Sequence, residues 1–128
     1  MKKLTLLLLL LVSTSVFAEW TKVGGTDDMT SYADFGTIKR KGNKVKMWGL
    51  YDFKTVQKFE NYRYLSSLTR FEYDCEEETV RHLDFHWYSS NMGQGEIVVS
   101  STNIKNEARS IIPESIDETL FKIACDKK

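Results

Sequence analysis

The two cysteines of this chain, Cys75 and Cys125, constrain its fold most, because they occur in a sequence that begins like that of an exported protein. Disulfides form and persist outside the reducing cytoplasm, so the pair predicts one disulfide-tied domain. Closing a loop of roughly fifty residues removes chain entropy worth about 4 kcal/mol from the unfolded state. Zinc binding or thiol redox chemistry is the alternative, but a lone pair without a Cys-x-x-Cys partner is a weak signal for either.

An export signal is predicted over residues 1–18. Met1-Lys2-Lys3 is basic, Leu4 to Val12 is a nearly unbroken apolar run, and Val16-Phe17-Ala18 suits cleavage by signal peptidase. A transmembrane anchor is the alternative, yet spanning a bilayer takes about 20 apolar residues and this run is roughly half that. Glu19, not a cysteine, follows the cleavage site, which disfavours a lipid anchor. We therefore expect an exported chain with no membrane anchor after cleavage.

The remaining residues, 19–128, have the length of a single domain. Cleavage also removes Lys2 and Lys3, which leaves 16 basic residues against 18 acidic ones and a net charge close to −2. Nucleic-acid binding usually requires a concentrated basic face and a high pI, so we expect no nucleic-acid partner.

Strand patterns fill most of the mature chain. Gly42-Asn43 separates two of them by two residues that tolerate positive φ, which predicts a tight hairpin, and Phe35-Gly36 is expected to turn the chain between two others. Alternation along the strand predicted from Tyr64 to Cys75 puts Phe71 and Tyr73 on one face and Arg70 on the other. The expected strands are Glu19–Val23, Thr30–Asp34, Thr37–Arg40, Val45–Phe53, Tyr64–Cys75, Thr79–Ser89 and Ile97–Ser101.

The pattern changes to a helical period after Pro113. Ser115-Ile116-Asp117-Glu118 is a capping box, and Ile116, Leu120 and Ala124 recur at helical spacing. A short helix buries only one stripe, so it must lie on the sheet, with Cys125 pinned to Cys75 at a strand end. The predicted fold is α+β and mainly β: an antiparallel sheet of about six strands with one C-terminal helix tethered by a disulfide.

The order and spacing of several short motifs around the two cysteines resemble one known family, the surface-adhesin protein E-like domain of Gram-negative bacteria. The resemblance extends over essentially the whole mature chain. It rests on Tyr32-Ala33-Asp34, Thr37-Ile38-Lys39, Met47-Trp48, Ser66-Ser67, Glu72-Tyr73-Asp74-Cys75, Met92-Gly93-Gln94-Gly95, Ile112-Pro113-Glu114-Ser115 and Leu120-Phe121-Lys122-Ile123-Ala124-Cys125.

The resemblance implies a curved antiparallel sheet, a C-terminal helix held by the Cys75–Cys125 bridge, and a tendency to form homodimers. It also implies a non-enzymatic adhesin that binds host matrix or plasma proteins such as vitronectin, laminin and plasminogen, and haem binding is associated with the fold. Glu19 and the few basic residues before Cys75 depart from that pattern. A periplasmic or envelope accessory protein, or a binder of haem or another small ligand, is therefore the alternative, and the location is the periplasm or the cell surface.

The residues around the start of the predicted strand Tyr64–Cys75 are the candidate binding site. Tyr62, Arg63 and Tyr64 combine the residue types enriched at protein-binding hot spots, and Arg70 adds a second positive charge on the same strand. The alternative is that Tyr64 packs into the core and Arg63 is only solvated.

Three further patterns suggest sites. His82, Asp84 and His86 alternate along one predicted strand and suggest a metal or haem site, but the two histidines would lie roughly 13 Å apart, too far to share one zinc ion. Met92-Gly93-Gln94-Gly95 is interpreted as a structural turn, since no helix follows it to favour a phosphate.

The strand from Val45 to Phe53 is apolar on both faces, so we expect a loop or a second subunit to cover its far side. We find no catalytic constellation and expect no enzyme activity.

Overall fold

The computed structural model describes residues 19–126 as one antiparallel sheet with a helix on one face. The predicted signal peptide lies outside the described residues. The strands follow each other in space as they do in sequence, from β1 to β6, and β7 pairs with β5. This is the predicted fold class. The elements are β1 (Thr21–Gly25), β2 (Met29–Lys41), β3 (Lys44–Phe59), β4 (Tyr62–Asp74), β5 (Thr79–Tyr88), β6 (Ile97–Ser101), β7 (Arg109–Ser110) and α1 (Ile116–Asp126), with one 3₁₀ turn at Asn91–Gly93.

The predicted hairpin at Gly42-Asn43 joins β2 to β3, with Lys41 opposite Lys44. Gly42 takes a φ of 62°, which a residue with a Cβ adopts only at a cost. The hairpin is therefore confirmed, and its first residue supplies the permissive backbone angle.

The turn predicted at Phe35-Gly36 is wrong, because β2 is continuous through these residues. The register against β3 shifts between Asp34 and Lys39, so the extra residues form an irregularity within the strand. The Asp34 carboxylate accepts a hydrogen bond from the Gly36 N–H at 3.0 Å, and the Thr37 hydroxyl donates to the Asp34 carbonyl at 2.6 Å. A glycine in a strand pattern marks a bulge as readily as a reversal.

Strand β3 extends six residues beyond the predicted end at Phe53. The extension pairs with the start of β4, where Phe59 lies opposite Tyr62, and the chain reverses at Glu60, whose φ is 53°. The extra length produces a hairpin tip that carries two exposed aromatic side chains.

The helix packs on one end of one sheet face. Glu118 donates its backbone N–H to the Ser115 hydroxyl, as the capping box predicts. Cys125 is bonded to Cys75, with the two Cα atoms 5.7 Å apart. The core below the helix consists of Ala33, Val45, Met47, Phe71, Tyr73, Val80, Leu120 and Ala124, all fully or almost fully buried.

A loop covers part of the opposite sheet face. Leu50 is fully buried there, and a Cβ on Gly93 would lie 2.9 Å from the Leu68 side chain and 3.9 Å from that of Leu50. Gly93 also has a φ of 68°, so the Gly93-Gln94-Gly95 segment is a structural turn, as predicted. The chain's own loop therefore covers the far side of β3 at Leu50. The homodimer stays a prediction.

Candidate functional site

A cleft of about 250 Å³ lies beside the helix on the same sheet face. Its floor is formed by Ser67 and Thr69 of β4. These two residues lie on the same face of the strand as Phe71 and Tyr73, which the helix covers. Residues two apart on a strand share a face, so one row of β4 side chains runs from the core into the cleft. We call this feature the open cleft.

The open cleft exists because small residues on the central strand lie between large residues on its neighbours. Ser67 is paired with Tyr51 on β3 and with Trp87 on β5, while Thr69 is paired with Phe85. Cross-strand partners project from the same face, so the aromatic rings form two walls above a low floor.

The walls continue into an aromatic cluster at the hairpin tip. Tyr64 stacks on Trp87 with ring centroids 4.2 Å apart, and Phe53 packs edge-on against Tyr64 at 5.7 Å. Phe59 meets Trp87 edge-on, also at 5.7 Å. We name Phe53, Phe59, Tyr62, Tyr64 and Trp87 the aromatic rim. Phe59 is 54% exposed and Tyr62 is 43% exposed, so the rim presents apolar surface to solvent.

The floor of the open cleft carries polar groups without protein partners. Ser67 and Thr69 are only 7% and 4% exposed, and their hydroxyl groups make no hydrogen bond with any residue between 19 and 126. The Tyr51 hydroxyl likewise has no such partner within that range. Burial is the main reason why the pKa of Tyr51 is raised far above its ordinary value, so its phenol stays protonated. The fully buried polar atoms without a partner in the described chain are elsewhere, at Ser31, Arg70 and Tyr73, so the three floor hydroxyls are accessible from the cleft and free to bond water or a ligand there.

His82 closes the end of the open cleft nearest the helix. Its Nε2 lies 3.2 Å from Nη2 of Arg109, which also forms an ion pair with Asp117 at 3.1 Å. Burial lowers the pKa of His82, and the positive charge of Arg109 lowers it further, while Asp117 acts in the opposite direction. The imidazole is therefore neutral at neutral pH. Because Nε2 faces a guanidinium donor, it must accept, and the ring proton is on Nδ1.

The prediction that His82, Asp84 and His86 share one face is wrong for His82 and correct for Asp84 and His86. The β4–β5 register shifts so that Phe71 faces His82 while Arg70 faces Asp84, which puts His82 on the helix side and Asp84 on the other. His86 stacks on Trp48 at 5.9 Å, on the face away from the helix. A bulge flips the faces of a strand, and the sequence pattern did not reveal it. In the part of the chain that the structure describes, no three histidine, cysteine or acidic side chains are grouped to hold a metal ion.

The four predicted binding residues do not form one cluster. Tyr62 and Tyr64 belong to the aromatic rim, whereas Arg63 alternates between them and lies opposite Lys58. Arg70 lies on the face away from the helix, where its Nε is 2.6 Å from Oδ2 of the buried Asp84, in an ion pair without hydrogen-bond alignment.

Sequence reasoning missed most of the cleft. Phe53, Phe59 and Trp87 were not singled out, and neither were the floor residues Ser67 and Thr69. The only signal in the strand pattern is that two small hydroxyl residues, Ser67 and Thr69, precede Phe71 and Tyr73 on one face of β4. Between residues 19 and 126 the structure contains no helix with the length and apolar character needed to cross a membrane.

Solved structures with this fold include those of protein E from Haemophilus influenzae. Crystal form II of that protein superposes with a TM-score of 0.68 at 14% identity, covering 88% of this chain and 91% of the other. Protein E from non-typeable H. influenzae gives a TM-score of 0.64 at 14% identity, with 88% and 79% of the two chains covered. At such low identity the likeness establishes the fold alone. No curated protein sequence matches the chain.

The sequence profile of one family, described as surface-adhesin protein E, matches residues 20–126. The match includes both cysteines, every strand of the sheet and the helix. It therefore extends over nearly all of the described residues, and the chain belongs to the surface-adhesin protein E family.

Proposed function

We propose that the exported chain is a non-enzymatic binding protein that attaches to host extracellular-matrix or plasma proteins through its hairpin tip and aromatic rim. The observation that carries the proposal is the exposure of Phe59 and Tyr62, paired across β3 and β4, beside the stacked Tyr64–Trp87 pair. Tyrosine and tryptophan dominate protein-binding hot spots, and clustered exposed apolar side chains mark interaction sites on soluble proteins. The non-enzymatic part of the proposal rests on family membership.

The charge of the hairpin tip gives the proposal an electrostatic component. Lys58 lies directly opposite Arg63, and both side chains are exposed. Like charges opposite each other on paired strands are destabilising, and an acidic group of a partner would relieve that repulsion. Binding should therefore weaken as salt is raised. Vitronectin, laminin and plasminogen are the partners that the family resemblance suggests.

Binding of the oxidised exported chain to immobilised vitronectin, laminin and plasminogen at two salt concentrations tests the proposal. We expect saturable, salt-sensitive binding that weakens about tenfold or more in Arg63→Glu and in the double variant Phe59→Ser/Tyr62→Ser. Lys39→Glu makes the same charge change at an exposed position of β2, and Ile112→Ser removes an exposed apolar group near the helix. These two controls should bind like the wild type.

Failure would take one of two forms. Equal weakening in the controls would place the binding surface elsewhere on the molecule. No binding to any of the three proteins at physiological salt would favour the alternative role, a periplasmic or envelope accessory protein. Protease treatment of intact cells separates the two locations, because a periplasmic protein is protected by the outer membrane.

A further inference from the structure

The open cleft is an uncharged site. No lysine, arginine, aspartate or glutamate is among its lining residues, and His82 is neutral at neutral pH. A phosphate, carboxylate or ammonium group entering it would lose its hydration without gaining an opposite charge, which is costly. The cleft is therefore suited to a neutral ligand.

The floor of the cleft offers hydrogen bonds to a ligand with several polar groups. The hydroxyls of Ser67, Thr69 and Tyr51 lack partners within residues 19–126, although Ser67 and Thr69 are more than nine-tenths buried. Each hydroxyl can donate one hydrogen bond and accept others. A tyrosine side chain from a partner brings only one hydroxyl, and a leucine or phenylalanine brings none. A ring that carries several hydroxyls satisfies the floor better.

The walls of the cleft require a flat apolar surface on the same ligand. Tyr51 and Phe53 line one side, and Phe85 and Trp87 line the other. The volume of about 250 Å³ lies below the roughly 300–1,000 Å³ of pockets for drug-sized ligands, so it accommodates about one ring. A pyranose combines these properties, because its axial C–H groups form an apolar face and its hydroxyls surround the edge.

We propose that the open cleft binds one neutral sugar ring of a glycan, stacked between its aromatic walls and hydrogen-bonded to Ser67 and Thr69. The inference deepens the proposed function and rests on it for its setting, because it names the chemical group that the cleft beside the rim takes from a partner. A glycan on a host protein would place one sugar ring in the cleft, while the surface of the host protein contacts the aromatic rim.

A glycan array probed with the intact oxidised chain, followed by titration with the best neutral sugar, tests this inference. Neutral terminal sugars should bind, whereas counterparts carrying a sulfate or carboxylate on the same ring should bind at least about tenfold more weakly. A free monosaccharide should bind with a Kd on the order of millimolar, given the small number of atoms involved. The fluorescence of Trp87 should report the binding.

The variants separate binding from folding. Thr69→Val keeps the shape of the side chain and removes a hydroxyl that has no protein partner, so affinity should fall about tenfold while the melting temperature stays the same or rises. Ser67→Ala should act in the same direction. Trp87→Phe should abolish the fluorescence response, and Trp48→Phe, which changes an indole on the opposite face, should preserve both signal and affinity.

Two results would overturn the inference: no neutral glycan binding up to tens of millimolar sugar, or unchanged affinity in Thr69→Val and Ser67→Ala. Enzymatic removal of glycans from the matrix proteins distinguishes this failure from failure of the proposed function. If the deglycosylated proteins still bind through Arg63 and the rim, the proposed function stands and the sugar site falls. If free glycans bind but no matrix protein does, the sugar site stands and the proposed partners fall.

Discussion

The two ends of the helix-bearing sheet face are built on the same strands but have opposite surroundings. At the covered end, Phe71 and Tyr73 of β4 are fully buried below α1. At the open end of that strand, the same face carries Ser67 and Thr69, with aromatic walls on either side. An 11-residue helix is roughly 16 Å long, whereas a 13-residue strand spans roughly 43 Å, so the helix covers only part of the face. The Cys75–Cys125 bridge fastens the helix at the Cys75 end of β4.

Removing the disulfide should have the largest effect on this arrangement. In Cys75→Ser/Cys125→Ser, the 50-residue separation predicts a loss of about 4 kcal/mol in unfolding free energy. Urea denaturation measures this loss. Hydrogen exchange should show that α1 opens more readily than the β3–β4 hairpin tip, because only α1 is held by the bridge. A loss below about 1 kcal/mol would mean that packing alone fixes the helix.

Truncation of one apolar side chain at each end should lower the unfolding free energy by different amounts at the two ends. Leu120→Ala removes a fully buried side chain of α1 and should cost about 3 kcal/mol. Phe59→Ala removes a ring that is 54% exposed and should cost about 1 kcal/mol or less. Denaturation midpoints of the two variants give the comparison. Similar losses would show that the aromatic rim is part of the core, and the rim would then be a weaker candidate for binding.

The covered end was predictable from sequence, and the open end was not. Helical spacing after Pro113, the capping box and the two cysteines together predicted a helix fastened on the sheet, because the helix signals are local and two cysteines can pair in only one way. The open cleft depends on which residues of β3, β4 and β5 become neighbours, and that is set by register. The shift between Arg70 and Phe71 and the irregularity after Asp52 leave no clear mark in the sequence. For the same reason the prediction that His82 and His86 share a face is wrong.

Two adjacent serines allow a finer test of the cleft floor. The Ser66 hydroxyl donates to the Ser90 carbonyl at 2.6 Å and accepts from the Gly93 N–H at 2.9 Å, whereas the Ser67 hydroxyl has no partner in the described chain. Ser66→Ala leaves buried groups unsatisfied and should cost about 1–3 kcal/mol. Ser67→Ala should change stability by less than about 0.5 kcal/mol. Equal costs would mean that the Ser67 hydroxyl is structural, which would contradict its assignment to a ligand.

The smallest expected effect is a pH dependence at the boundary between the two ends, where His82 meets Phe71 edge-on at 5.0 Å and also lines the cleft. Burial, and after it Arg109, lowers the pKa of His82 in the folded state, while Asp117 opposes them. The unfolded chain therefore binds a proton at this histidine more readily, so folding stability falls as the pH drops below about 6.5. Melting temperatures at pH 7 and pH 5 should differ less in His82→Gln than in the wild type. An equal or larger difference in the variant would mean that His82 is as well hydrated as a surface histidine. The buried core below the helix would then end at Phe71. His82 would no longer count as an uncharged wall of the open cleft.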